Sequence, residues 1–265
     1  MDQGPRVWQR IAVPASFALM FLVSYLSPFD GDIGTISRKS DTLLTPSGPA
    51  FAIWGLIYLL QLGYVIYVAI PNHIPESKNR RLVADTVIPV LGATFWQTAW
   101  MLAFLSDSLV GFWLCAVFLP TVAVFLGVVF FKLLDVRTWR QEMNGWEVVL
   151  VGVFFSVYFG WVCAASAIAI VQPFVRSGAL DSGNVLVAAV VLVLVLVFFA
   201  VLAYKQHNVI FGAVFVWTSI FIATKNTGLT PVAWTCSAIM VVIEVLVLWR
   251  LKDEGSHDKF FRLAG

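Results

Sequence analysis

The chain has 265 residues, of which 60% are hydrophobic and 12% charged, with a formal net charge of +2. Soluble domains run at about 45–50% apolar and about 25% charged residues, so this composition excludes an ordinary soluble domain and requires lipid around it. The near-neutral balance gives no basis for nucleic-acid binding.

A hydrocarbon core about 30 Å thick is crossed by about 20 apolar residues of helix, because every backbone polar group must pair inside the segment. In chain order, eight stretches meet this requirement: 9–27, 48–70, 83–106, 109–132, 146–173, 185–204, 208–224 and 231–251. The fold class expected is therefore all-α, a polytopic bundle of about eight transmembrane helices. The first stretch follows Arg6 and Arg10 but has no small-residue cleavage site and runs on into Pro28 and Phe29, so it reads as a retained helix rather than a signal peptide. The break between spans six and seven rests on Lys205, Gln206, His207 and Asn208 alone.

Basic residues test this count. With a cytoplasmic amino terminus, one side receives Arg6, Arg10, Lys78, Arg80, Arg81, Lys132, Arg137, Arg140, Lys205, Arg250, Lys252, Lys259 and Arg262, and the other receives Arg38, Lys39, Arg176 and Lys225. That asymmetry is the one expected when basic loops stay in the cytoplasm, and it places both termini there. Merging spans six and seven would move the carboxy-terminal cluster to the opposite side. Trp8, Trp139, Trp146, Trp234 and Trp249 fall near span ends, where an amphipathic indole anchors at the interface. Pro14, Pro89 and Pro120 lie within spans, and neighbouring groups must satisfy the carbonyls they free. Span six carries no polar stripe and is expected to face lipid. Cys115, Cys163 and Cys236 are far apart inside apolar runs, which suggests buried hydrophobes and neither a disulfide framework nor a metal site.

Three spans carry bulky aromatics at helical spacing. Span two has Trp54, Tyr58 and Gln61 at i, i+4 and i+7, on one face. Span three has Trp96 and Trp100 at i and i+4, with Gln97 between them. Span five has Tyr158 and Trp161 at i and i+3, followed by small residues including Ala165 that allow close helix approach. Indole, phenol and amide groups deep in a bilayer seek partners, since an unpaired one costs about 1–3 kcal/mol, so these tips should point inward. A site of flat aromatic faces with a few polar tips suits a planar amphiphile; aromatics that merely pack the bundle are the alternative.

The same residues resemble the motifs of the translocator protein family, also called tryptophan-rich sensory proteins or TspO. The segment TPSGPAFAIWGLIY supplies a proline-led entry, Pro46, then Phe51, Trp54 and Tyr58. WQTAW supplies Gln97 three residues before Trp100, where the family usually has Asn, and VYFGWVCAASA supplies Tyr158, Trp161 and Ala165. Phe51 stands one residue nearer Trp54 than is usual, and Val157 replaces a usual Pro. No Tyr followed by Lys or Arg after span five reproduces the cholesterol-recognition pattern of some members. The resemblance covers residues 9–173 and implies a five-helix core (1–173) with porphyrin-type tetrapyrroles as the ligand class, dimers, and a ligand wall of Pro46, Phe51, Trp54, Tyr58, Trp96, Gln97, Trp100, Tyr158, Trp161 and Ala165. Residues 174–265 would be an added three-helix region. The loop 29–45, with Gly31 and Gly34, would form a flexible lid.

Glu244 is an acid well inside span eight, where an ionisable group is a functional candidate by default. It would serve as the coupling group of a solute transporter, or pair structurally with Arg250. Lys225, Asp107 and Asp85 at or near span edges read as solvated or snorkelling. His73, His207 and His257 fall in loops or the tail, leaving no axial haem ligand within a span, and no cofactor or metal is expected. No hydrolytic constellation or phosphate-cradling loop occurs. The expectation is a non-enzymatic membrane receptor or carrier for a porphyrin-like hydrophobic metabolite, with light-dependent porphyrin breakdown left open by the resemblance. Its rivals are a transporter using Glu244 and a membrane scaffold. For the topology, single cysteines at positions 35, 78 and 257 should react with an impermeant thiol reagent from outside only at 35; outside labelling at 257 would rule out eight spans.

Overall fold

The computed structural model describes residues 7–25, 33–69, 76–133, 143 and 145–253. Every regular element among them is helical: α1 (Val7–Tyr25), α2 (Ile33–Lys39), a 3-10 turn (Gly48–Ala52), α3 (Ile53–Ala69), α4 (Glu76–Leu105) and α5 (Leu109–Leu133). These are followed by α6 (Gly145–Glu147), a π-helical stretch (Val148–Val153), α7 (Phe154–Arg176), α8 (Val185–Gln206), α9 (Val209–Lys225) and α10 (Thr230–Asp253). Among the described residues, six helices are long and apolar enough to cross a membrane, and the first and seventh predicted spans are shorter apolar helices, Arg10–Val23 and Val209–Lys225. The molecule is a multi-pass helical bundle. At about 1.5 Å per residue, the 17 residues of α9 reach about 25 Å, close to the hydrocarbon thickness.

Local chemistry explains the breaks. His207 caps α8 in the left-handed region (φ 51°), and the Asn208 side chain then accepts the Phe211 N–H at 3.0 Å, so two residues end one span and start the next. Asn184 caps the start of α8 in the same way through the Val187 N–H. The α4–α5 turn uses Asp107 at φ 46°, a conformation that Asp tolerates better than most side chains. Pro14, Pro89, Pro120 and Pro173 all lie inside helices, and span five runs past Pro173 to Arg176.

Five helices close a ring in the order α1, α4, α5, α7, α3, with α3 returning to α1. The seams α4–α5 and α5–α7 are extensive; α1–α3 is the thinnest. Against this ring, α9 packs on α7, α8 mainly on α10 and α9, and α10 on α8 and α9. The joint is aromatic. Phe211 of α9 stacks on Phe199 of α8 (4.4 Å) and Phe159 of α7 (5.3 Å) and leans on Phe130 of α5 (5.1 Å). Beside it Asn208 Nδ2 donates to Ser156 Oγ at 2.8 Å, and Gly160 lets Val214 approach the α7 backbone. As span six predicts, α8 buries a single stripe, Ala188, Leu192, Leu196, Phe199 and Ala203, and leaves the rest more open. Trp8, Trp146, Trp234 and Trp249 are exposed, while Trp139 lies outside the described residues.

The expected lid differs from the sequence reading. Positions 26–32, including Gly31, lie outside the described residues, but Gly34 belongs to α2, whose Ile36 is buried against Met101, Phe104, Leu105 and Phe112. The segment after α2 is tied down rather than loose. Lys39 and Arg176 both pair with Asp107 (2.8 and 2.9 Å), Lys225 pairs with Asp41 (2.6 Å), and Gln172 donates to the Ser40 carbonyl (3.4 Å). Asp107 and Lys225 are therefore partnered, not merely solvated. Each such exposed pair contributes about 0–1 kcal/mol, so the tie is the sum of several weak contacts.

A Cβ at Gly160 would meet Val214 atoms at 3.0–3.3 Å. Gly160→Leu should separate α7 from α9 and cost about 1–3 kcal/mol, read as a lower thermal midpoint in detergent, whereas Gly178→Ala at an exposed turn should cost less despite its positive φ.

Candidate functional site

The aromatic rings of α3 and α7 meet inside the five-helix ring. Trp54 stacks on Tyr58 one turn along α3 (5.6 Å, 26°) and presents edges to Tyr158 and Trp161 of α7 (6.3 Å each). Phe51, at the end of the 3-10 turn, stands edge-on to Trp161 at 5.7 Å. The helical spacing read from the sequence causes this: i, i+4 on α3 and i, i+3 on α7 each set two rings on one face, and the faces oppose. Such offset and T-shaped pairs contribute roughly 0.5–1.5 kcal/mol each beyond area burial.

Two further rings join them without a sequence signal of their own. Phe21 of α1 lies edge-on to Tyr58 at 5.3 Å, and Phe154 stacks on Tyr158 at 5.8 Å. Tyr58 remains 40% exposed at the thin α1–α3 seam, while Tyr158 and Trp161 are buried. The cluster thus grades from the bilayer side to the bundle interior. Pro46 is buried in the segment leading into the 3-10 turn, and Ala165 is half-buried one turn beyond Trp161.

The α4 indoles are half-buried against the same core but make other ring contacts. Trp96 packs against Phe95 and Phe118 (5.3 and 5.1 Å), and Trp100 stacks on Phe104 at 5.5 Å beneath α2. Among the described residues, neither makes a ring contact with the α3 and α7 aromatics. What α4 directs into the interior is Gln97, buried at 5% exposure between them in sequence. The i, i+4 indoles share one face of α4 and Gln97 lies to one side of it, so the aromatic spacing does not mark the residue that is buried.

Polar satisfaction is uneven. Toward the α6 end of the bundle, Tyr64 and Thr86 share a 2.7 Å hydrogen bond and the Tyr67 hydroxyl donates to Glu147 Oε1 at 2.8 Å. By contrast, Gln61 Nε2 on α3, Gln97 Oε1 on α4 and Trp161 Nε1 on α7 are buried with no hydrogen-bond partner among the described residues. Each such group costs about 1–3 kcal/mol. Two are donors and one is an acceptor.

Glu244 sits on α10 facing Gly212 of α9, beside Met240 of its own helix, with Oε1 buried and unpartnered among the described residues. The expected pairing with Arg250 is not formed; the Arg250 guanidinium lies over the Tyr204 ring at 4.8 Å. The cysteines are free, with Cys115 and Cys236 buried and Cys163 half-buried. His207 is buried in the α8–α9 turn, while His73 and His257 lie outside the described residues. Among the described residues no group of three His, Cys, Asp or Glu could hold a metal ion.

With its acceptor unpaired, Gln97 should be a liability to the empty protein. Gln97→Leu should leave the thermal midpoint unchanged or raise it, a gain of up to about 1–3 kcal/mol, measured by unfolding in detergent. Thr86→Val, which orphans a satisfied Tyr64 hydroxyl, should lower it.

A family model described as TSPO-like protein matches residues 8–249, reaching through all the helices from α1 into α10. No curated protein and no solved structure matches the chain.

Proposed function

Because the chain belongs to the TSPO-like protein family, we propose that this multi-pass membrane protein binds a hydrophobic planar metabolite of tetrapyrrole type between α3, α4 and α7. The observation that carries the reading is the set of three buried, unpartnered polar atoms, one on each of those helices, of which Trp161 Nε1 belongs to the cluster of aromatic rings. A protein that keeps such atoms forgoes stability, and a ligand that hydrogen-bonds to them recovers it.

In this reading Trp54, Trp161 and Phe51 wall the ligand's flat body, and Tyr58 and Tyr158 line its approach from the α1–α3 seam. Gln97, Gln61 and the Trp161 N–H take its polar edge. Trp96 and Trp100 act behind this surface, holding α4 so that Gln97 faces inward. Pro46 and Ala165 shape the backbone on either side. Residues 1–173 form the binding core and 174–265 an added region, with both termini in the cytoplasm and the α2 end on the opposite side. The role is binding, with sensing or carriage as its use.

Transport of a small solute is the second reading, and its own observation is Glu244, whose buried Oε1 has no partner among the described residues. A carboxylate there needs a proton or an incoming cation.

Titration of the detergent-solubilised protein with protoporphyrin should quench tryptophan fluorescence saturably. Trp54→Phe and Trp161→Phe should each weaken binding by roughly tenfold, the effect of losing about 1.4 kcal/mol of stacking or hydrogen bonding. Absence of saturable quenching, with a proton flux in vesicles that Glu244→Gln abolishes, would transfer the function to transport.

A further inference from the structure

The segment between α2 and α3 is held by α9, a helix outside the five-helix ring. Its contacts descend in register. Asp41 pairs with Lys225 (2.6 Å), and the Leu43 and Thr45 carbonyls accept from Asn226 Nδ2 (2.9 and 3.3 Å). Deeper, the Ser47 N–H donates to the Phe221 carbonyl (3.0 Å) and the Ala50 carbonyl accepts from Trp217 Nε1 (3.0 Å). From Lys225 to Trp217 is eight residues, so at about 1.5 Å per residue the segment passes about 12 Å down the side of α9.

Non-helical backbone at that depth persists only where protein groups satisfy it. The Ser47 N–H finds its partner on α9 rather than in its own turn, and the Ala50 carbonyl already receives the Ile53 N–H, so Trp217 supplies its second bond. The next residue is Phe51, which meets Trp161, and three further on is Trp54, which meets Tyr158 and Trp161. Whatever fixes Ser47 to Ala50 therefore fixes the angle at which two ligand-wall rings enter the bundle.

We propose that α9 is the anchor of the ligand-contacting segment, with Trp217 and Asn226 as positioning residues that set how long a bound planar ligand is retained. This rests on the binding reading above. Its chemistry is separate, because Trp217 and Asn226 hydrogen-bond to backbone carbonyls of the segment and not to side chains of the aromatic wall. The added region thereby gains a purpose, since α8 and α10 support α9, and α9 supports the entry to α3.

The test uses the full chain in detergent with Cys115, Cys163 and Cys236 changed to Ala and a reporter at Ser47→Cys. In this background Trp217→Phe and Asn226→Ala should each raise the rate of maleimide labelling at position 47, and the double variant should raise it about tenfold. In the native-cysteine protein the same changes should speed protoporphyrin dissociation by a similar factor, followed by porphyrin fluorescence. Their thermal midpoints should fall modestly below that of Trp113→Phe, a control at an exposed ring that meets Phe174, because each change leaves a carbonyl of the segment short of a hydrogen bond. Should Trp217→Phe fold poorly, Lys225→Gln removes the outermost tie and should show the same trend at smaller size. Labelling and dissociation unchanged in the double variant, with the wild type binding protoporphyrin, would overturn the anchor and leave the binding reading intact. A wild type that binds no protoporphyrin would overturn both.

Discussion

Backbone pairing in a medium without water is the constraint on which this molecule depends. It accounts for the all-helical architecture, and also for where the chain is allowed to depart from regular helix. The departure that matters is the stretch from Asp41 to Ala52, which enters the bundle as irregular backbone and a single 3-10 turn. Its N–H and C=O groups are met by Phe221, Trp217 and Asn226, on α9 and at its end. Without such a neighbour this backbone would face acyl chains, and α3 would have to begin nearer the membrane surface. The position of Trp54 at the very start of α3 is thus a consequence of pairing supplied by another helix.

The two ends of the five-helix ring handle buried polarity in opposite ways. Around Tyr64, Thr86, Tyr67 and Glu147 every hydroxyl has a partner, and the helices are cross-linked by hydrogen bonds. Around Trp161 and Gln97 the partners are missing among the described residues, and Gln61, one turn from both Tyr58 and Tyr64 on α3, lacks one as well. A few kcal/mol is a large share of the net stability of a domain, so each unsatisfied group is a cost that packing elsewhere in the bundle must offset. The difference separates a part of the bundle cross-linked by hydrogen bonds from a part whose buried polar atoms have none.

Aromatic packing serves both ends. Phe211, surrounded by Phe130, Phe159 and Phe199, knits α9 to the ring and to α8 with no polar tip to satisfy. Trp54, Tyr58, Tyr158 and Trp161 use the same edge and stacking geometry but carry N–H and O–H groups, so their packing remains polar at its margins. That distinction lies in residue type: a phenylalanine ring leaves nothing to satisfy, whereas a tryptophan or tyrosine ring carries a polar tip that does.

Composition and periodicity by themselves determined that the chain is a membrane-spanning helical bundle, where its long apolar helices lie, though not the short α2, and that α3 and α7 each present an aromatic face. These follow from local rules: apolar length, capping residues such as Asn208, and i, i+3 and i, i+4 spacing. The short motifs around Trp54, Gln97 and Trp161 were likewise sufficient to identify the family. Only the tertiary structure decided that Trp96 and Trp100 are half-buried, with ring contacts to Phe95, Phe118 and Phe104, while Gln97 is buried, because which face of α4 points inward depends on how α1 and α5 pack against it. It also decided that Asp107 and Lys225 are partnered and that Glu244 does not meet Arg250. The tie between α9 and the α2–α3 segment joins residues more than 160 apart in sequence, and no local pattern encodes a contact between a backbone carbonyl and an indole so distant along the chain.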